Sequence, residues 1–221
     1  VAGGTSPSGA STPSRTSSPA AAHTAAAMRA MAEKDVELFL PAHGLPIEGK
    51  ERIKGVLTDV AEALEFLVQE TVARMNDGMR LDDIVHEVQL DPSYLEKPYM
   101  QPTYDEPEFV VRNIWRLYGG WYDGNPAHLK PAKHADLAKE IALMAGGALA
   151  LADRAQAFKE TNPRLACHLV EMAVQAEPEN RYAHEVRADV YQYRRGLETS
   201  LMAKGIFGTA ANESKEALGE E

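Results

Sequence analysis

TNPRLACHLVEMAVQAEPENRYA, residues 161–183, carries its own punctuation for one helix and the start of another. Asn162 is a capping residue, and Pro163 occupies the first helical position, where its missing N–H is no loss and its fixed φ suits the turn. Pro178-Glu179-Asn180 then stops that helix and caps the next one. The same grammar extends outward. Helices are expected over His134–Ala145, Ala148–Glu160, Pro163–Glu177 and Asn180 to about Lys204, with Gly146-Gly147 separating the first pair. The final residues, Asn212–Glu221, are charged and read as frayed.

Within this region Ala173, Ala176, Pro178 and Ala183 resemble the second helix of a tetratricopeptide-type hairpin entering the following unit. One unit carries the pattern, so the region reads as an antiparallel helical array. The fold class expected is therefore mainly α.

Upstream, Ile53, Leu57, Val60, Leu64, Leu67 and Met75 recur at helical spacing from Lys50 to Asn76, and Gly78 supplies a cap. At about seven turns of ~3.6 residues this helix exceeds the globular average, which suggests that one face packs on another domain or subunit. A shorter helix, Leu81–Leu90, turns Ile84, Val85 and Val88 inward. Asp91–Glu108 carries Pro92, Pro98, Pro102 and Pro107 with Tyr94, Tyr99 and Tyr104, a composition expected to preclude helix and give an extended, aromatic-anchored loop. The helix Pro107–Tyr118 places Val111, Trp115 and Tyr118 on one face and Arg112 and Arg116 on another. It leads into Tyr118-Gly119-Gly120-Trp121-Tyr122-Asp123-Gly124-Asn125-Pro126, a tightly specified turn with three aromatics and three glycines.

At the other end, residues 1–22 are almost entirely Ser, Thr, Pro, Gly and Ala and read as a disordered linker. A short helix is expected over Ala25–Lys34 and a buried strand over Val36–Leu40, leaving His43 in a loop at the strand's end. The formal net charge of −10 argues against non-specific nucleic-acid binding, which needs a basic surface. No apolar run approaches the roughly 18 residues that span a bilayer, so the chain reads as soluble. The start of the chain carries no secretion signal and no methionine, so a cytoplasmic, periplasmic or secreted setting stays open. The single cysteine, Cys167, falls among apolar residues and reads as a small buried hydrophobe.

Little catalytic chemistry is visible. His43, a strand-terminal imidazole followed by glycine, is the best metal-ligand candidate, but a zinc site needs three or four ligands. The chain has no His-x-His, no His-Glu-x-x-His and no paired cysteines. Arg112 and Arg116 could bind an anion or pair with Asp105 and Glu108.

The order of these features is recognisable. Met28-Arg29-Ala30-Met31 followed by Leu38-Phe39-Leu40-Pro41-Ala42-His43-Gly44 resembles the last helix and strand of a metallo-β-lactamase-type hydrolase. Asn76-Asp77-Gly78, the helix Pro107–Arg116, the turn Gly119–Pro126 and Leu129-Lys130-Pro131 resemble the dimerisation domain of the alkyl sulfatases that hydrolyse dodecyl sulfate. The resemblance covers roughly residues 25–214. It implies a family in which two zinc ions, held mainly by histidines and acidic residues, activate water against a sulfate ester. The family's His-x-His-x-Asp-His cluster is not in this sequence, and His43 alone maps onto the metal-binding pattern.

These readings combine into one expectation. Residues 23–49 are the end of an αββα metallo-β-lactamase-like domain, 50–214 are a complete helical dimerisation domain, and 215–221 are a frayed tail. The chain self-associates through Leu57, Leu64, Tyr94, Tyr99 and Tyr104, with Arg116, Gly119, Gly120, Trp121, Asp123, Asn125 and Pro126 as an architectural signature. By itself it is expected to bind no zinc stably and to lack activity on alkyl sulfates. The competing expectation is a stand-alone helical module binding a peptide or lipid-like ligand between residues 148–177 and 180–204.

Overall fold

A computed structural model describes residues 20–220. They are mainly helical and fall into two units, one ending at Glu65 and the other starting at Phe66.

In the first unit α1 (Ala20–Ala32) precedes two short antiparallel strands, β1 (Leu38–Phe39) and β2 (Ile47–Glu48), in the register Leu38 to Glu48 and Phe39 to Ile47. The first part of α2 (Lys50–Asn76) follows. Ala32, Ile53 and Leu57 form the core, with Met28, Met31, Phe39 and Ile47 packed against them. Arg29 clasps Glu65 with Nε and Nη2 at 3.2 and 2.7 Å.

Two expectations are corrected here. Residues 20–22, read as linker, are the first turn of α1; residues 1–19 lie outside the described part. The expected buried strand Val36–Leu40 shrinks to two residues, and Leu38 and Leu40 are exposed. The two-stranded ladder is covered on one face only, where Phe39 and Ile47 meet the unit's core, so Leu38 on the other face stays exposed.

In the second unit the rest of α2 packs with α3 (Leu81–Glu87) and α5 (Pro107–Gly119). Leu67, Ile84, Val85, Val88, Val111 and Ile114 are buried together there. Full burial of an Ile or Val side chain is worth about 1.5–3 kcal/mol, so Ile84, Val111 and Ile114 anchor this cluster. Val88 is buried as expected, although α3 ends one residue before it rather than at Leu90. The proline-rich connection is not wholly extended. Pro92–Leu95 forms a helical turn, α4, with Asp91 accepting from Ser93 N–H, and Pro98–Met100 forms a 3-10 turn. Proline at the start of a turn favours helix, and that positional effect outweighs composition. On α5 the inward face is Val111 and Ile114, not Tyr118, which is half exposed.

The remaining elements are α6 (His134–Ala145), α7 (Ala148–Phe158), α8 (Pro163–Ala176), α9 (Arg181–Leu197) and α10 (Leu201–Leu218). Their common core is built from small residues, among them Ala148, Ala152, Ala155, Ala166, Ala173, Ala183 and Ala211, so helix axes approach closely. Gly146 and Gly147, at φ 96 and 116, accommodate the reversal between α6 and α7 in a conformation that side-chain-bearing residues rarely adopt. Asn162 and Asn180 cap α8 and α9 through Leu165 N–H and Ala183 N–H, both at 3.1 Å.

The single helix expected from Asn180 to Lys204 is two. It breaks at residues 198–200, where Ser200 caps α10 by accepting from Ala203 N–H. The expected frayed tail is also corrected, because α10 continues to Leu218 with Ser214 and Leu218 buried. An amphipathic face overrides local charge when it has a core to pack on.

Candidate functional site

The turn after α5 is the most elaborated hydrogen-bonded feature. Gly120 N–H donates to Arg116 O at 3.1 Å, closing the helix. Trp115 sends its indole N–H across the turn to Tyr122 O at 3.0 Å. Asp123 is the hub. Its carbonyl accepts from Leu81 N–H at 3.1 Å, which joins the turn to α3. Its Oδ1 accepts from Asn125 N–H at 2.9 Å, and its Oδ2 accepts from His128 Nδ1–H. Asn125 Oδ1 in turn accepts from Ala127 N–H at 3.1 Å, capping a 3-10 turn, Pro126–His128, that begins with proline.

The His128 tautomer follows from this network. With Nδ1 donating to Asp123, Nε2 accepts from Asn125 Nδ2 at 3.3 Å. The His128 N–H, followed by the Asn125 amide, holds the Asp123 carboxyl below the ordinary carboxylate range.

Gly124 sits at φ 92, and a Cβ there would lie 2.9 Å from Arg80 Cγ. Gly119 is helical, yet a Cβ on it would meet Met75 Cε at 3.1 Å and the Trp115 ring at 3.3 Å. The glycines therefore serve both backbone shape and close packing.

The aromatics of the turn are not all buried. Trp121 is 73 % exposed and stands edge-on to Tyr122, with ring centroids 6.1 Å apart. The anchoring indole belongs to Trp115, inside the helix. Beside the turn, a cleft of about 390 Å³ is lined by Arg80, Asp82, Asp83 and Arg112 together with Asp123, Asn125 and His128. Both signs of charge meet there.

A second cleft, of about 440 Å³, lies where α3, α5, α8, α9 and α10 converge. Glu108 is bound by Arg164 at 2.7 Å and Arg112 at 3.3 Å. Burial raises its pKa, but these two guanidinium groups outweigh burial and leave it below the usual range. Arg194 and Glu198 pair at 2.6 Å. Burial pushes the Cys167 thiol up to about 11, so it stays protonated at neutral pH and is no nucleophile.

The other sequence candidates are scattered. His43 is exposed in the turn between β1 and β2, and among the described residues no three His, Cys, Asp or Glu side chains gather to hold a metal ion. Leu57 is 2 % exposed and belongs to the core of its own unit, so it is withdrawn as an interface residue. Leu64 and Tyr94 are half-buried, whereas Tyr99 and Tyr104 are exposed. The Arg116 side chain is exposed. Among the described residues no helix is long and apolar enough to cross a membrane.

Comparison with known proteins places this architecture. A family profile described as alkyl sulfatase dimerisation matches residues 80–217. A linear primary-alkylsulfatase of a Pseudomonas species is 30 % identical over 154 residues, covering 69 % of this chain and 29 % of the relative. The alkyl/aryl-sulfatase BDS1 of Saccharomyces cerevisiae is 29 % identical over 168 residues, covering 75 % and 26 %. The solved structure of the stereoselective inverting sec-alkylsulfatase Pisa1 from Pseudomonas sp. superposes with a TM-score of 0.79 at 25 % identity, covering 89 % of this chain and 31 % of that one. The chain thus spans less than a third of the length of these relatives.

Proposed function

This chain belongs to the alkyl sulfatase dimerisation family, and from that membership we propose that it is the self-association region of an alkyl sulfate hydrolase. The observation that carries the reading is the position of the match. Residues 80–217 take in α3, the proline-rich connection from Asp91 to Glu106, the turn after α5 and almost all of the α6–α10 array, and leave out the loop that holds His43. The relatives' names point to the substrate class of the whole protein, primary or secondary alkyl sulfate esters.

The second copy is taken to pack on the segment that carries Tyr99 and Tyr104. Both are large aromatics left exposed on a chain of net charge −10, and aromatic side chains bury much area for little lost freedom. Light scattering on a size-exclusion column should return the mass of two copies at micromolar concentration, and Tyr104→Asp should shift the population toward one. A monomer at that concentration in the unaltered chain would overturn the reading.

In the parent family zinc would supply the activated water. The residues present do not fit that group, because His43 is exposed and, among the described residues, no three potential ligands gather around it or elsewhere. With zinc added, this chain alone should therefore give no turnover of dodecyl sulfate. Measurable turnover would show that the chain carries a catalytic centre of its own. The family match does not favour the stand-alone ligand-binding module.

A further inference from the structure

The strap from Asp91 to Glu106 is tied down near its end. Thr103 O accepts from Leu201 N–H at 2.9 Å, and Tyr104 O accepts from the Ser200 hydroxyl at 2.6 Å. Ser200 Oγ also accepts from Ala203 N–H at 3.2 Å, so one fully buried hydroxyl both caps α10 and holds the strap.

Two residues after Tyr104 comes Glu106, the N-cap of α5, whose N–H donates to Asp105 Oδ1 at 2.9 Å and whose side chain makes no capping bond. Its Oε1 is enclosed and without a hydrogen-bond partner. Charged and titratable groups face the same cleft from every side. Glu108 and Arg112 come from α5, and Asp82 and His86 from α3. Arg164, Cys167 and His168 come from α8, and Arg194 and Glu198 from the end of α9. From α10 come Ala203 and Phe207, neither of them charged. The arginines are already engaged, Arg164 and Arg112 on Glu108 and Arg194 on Glu198. Glu106 is thus one of four carboxylates lining the cleft, with Asp82, Glu108 and Glu198, and the cleft's arginines are paired with Glu108 and Glu198.

We propose that Glu106 is a proton-operated latch: as a neutral acid it lets the strap lie on the break between α9 and α10, and as a carboxylate it loosens the two bonds that hold the strap there.

The balance favours the neutral acid. Burial disfavours the ion first, and repulsion from Glu198 and Glu108 adds to it; the pull of Arg194 is smaller, so the carboxyl sits above its ordinary range. The fastened form therefore binds the proton more tightly than the released form. It is favoured at low pH and loses ground as pH rises through the titration of Glu106. Protonation also turns Glu106 into a donor beside two carboxylate acceptors.

The test reads the latch without reference to self-association. In the full chain, carbon-detected NMR follows the Glu106 carboxyl, while the Leu201 amide shift and its hydrogen-exchange protection report the bond to Thr103. The expected result is that the Leu201 amide titrates with the Glu106 midpoint. Its protection, corrected for the intrinsic pH dependence of exchange, should fall several-fold above that midpoint. Glu106→Gln should abolish the titration and keep protection at its low-pH level. A Leu201 amide indifferent to pH in the unaltered chain, or one that titrates unchanged in Glu106→Gln, would overturn the latch. Should Glu106→Gln fail to fold, the coincidence of midpoints in the unaltered chain still decides. A latch that fails in a chain that still dimerises would leave the self-association reading standing.

Discussion

The indole of Trp115 and the carbonyl of Tyr122 are joined at 3.0 Å, which ties the last turns of α5 to the chain beyond Gly120. Against the same indole lies Gly119, and opposite the turn Gly124 leaves no room for a Cβ beside Arg80. Trp115→Phe keeps an aromatic ring but removes the bond and part of the packing, and should cost about 1 kcal/mol or somewhat more. Gly124→Ala adds a clash to a positive φ and should cost more, about 2 kcal/mol. Urea unfolding at constant slope would check both. An equal or smaller loss for Gly124→Ala would mean that Arg80 gives way freely.

Thr71 is a defect in an otherwise apolar seam. It is fully buried on α2 and its Oγ1 has no partner. A buried hydroxyl without a hydrogen bond is destabilising, and Val has nearly the same shape. Thr71→Val should therefore stabilise the chain by about 1 kcal/mol, seen as a higher urea midpoint. A lower midpoint would mean that an ordered water serves the hydroxyl.

Helix grammar was legible wherever it is local. Asn162-Pro163 and Asn180 cap where expected, and Lys50–Asn76 is one helix with the bounds its periodicity gives. The break before Ser200 was not, although Gly196 stands just ahead of it, because the bonds that hold the next helix start come from Thr103 and Tyr104, about a hundred residues away in sequence. The cleft around Glu106 is equally non-local, assembled from five helices. The pairing of Asp123 with His128 was within reach, since an aspartate two residues before Asn-Pro starts a tight turn that brings the following residues back. Leu57 went astray for a simpler reason. Periodicity says that a residue faces something apolar, and its own unit turned out to supply it.

The same pairing sets an acid dependence. The folded pKa of Asp123 is depressed, chiefly by His128, so its contribution is complete above the unfolded value of about 3.9. It is lost as pH falls through the folded value. His128→Ala should therefore destabilise the chain at neutral pH, and the gap from the unaltered chain should close in strong acid. Thermal unfolding at a series of pH values would show this convergence. A gap that stays constant down to the acid limit would assign the effect of His128 to packing.

Arg187 offers the sharpest mutational contrast in the helical array. Its side chain is 10 % exposed and is held by Glu171 at 2.7 Å, Ala210 O at 2.6 Å, Ser214 Oγ at 3.0 Å and Glu213 at 3.1 Å, linking α8, α9 and α10. The fork of the guanidinium serves four acceptors at once, which the single ammonium of lysine cannot match in geometry. Arg187→Ala leaves those acceptors, Glu171 in particular, without their cation and should cost about 3–5 kcal/mol. Arg187→Lys keeps the charge and should recover only part of that loss. If Arg187→Lys proved as stable as the unaltered chain in urea, the charge alone would be holding the three helices, and the fork geometry would be incidental.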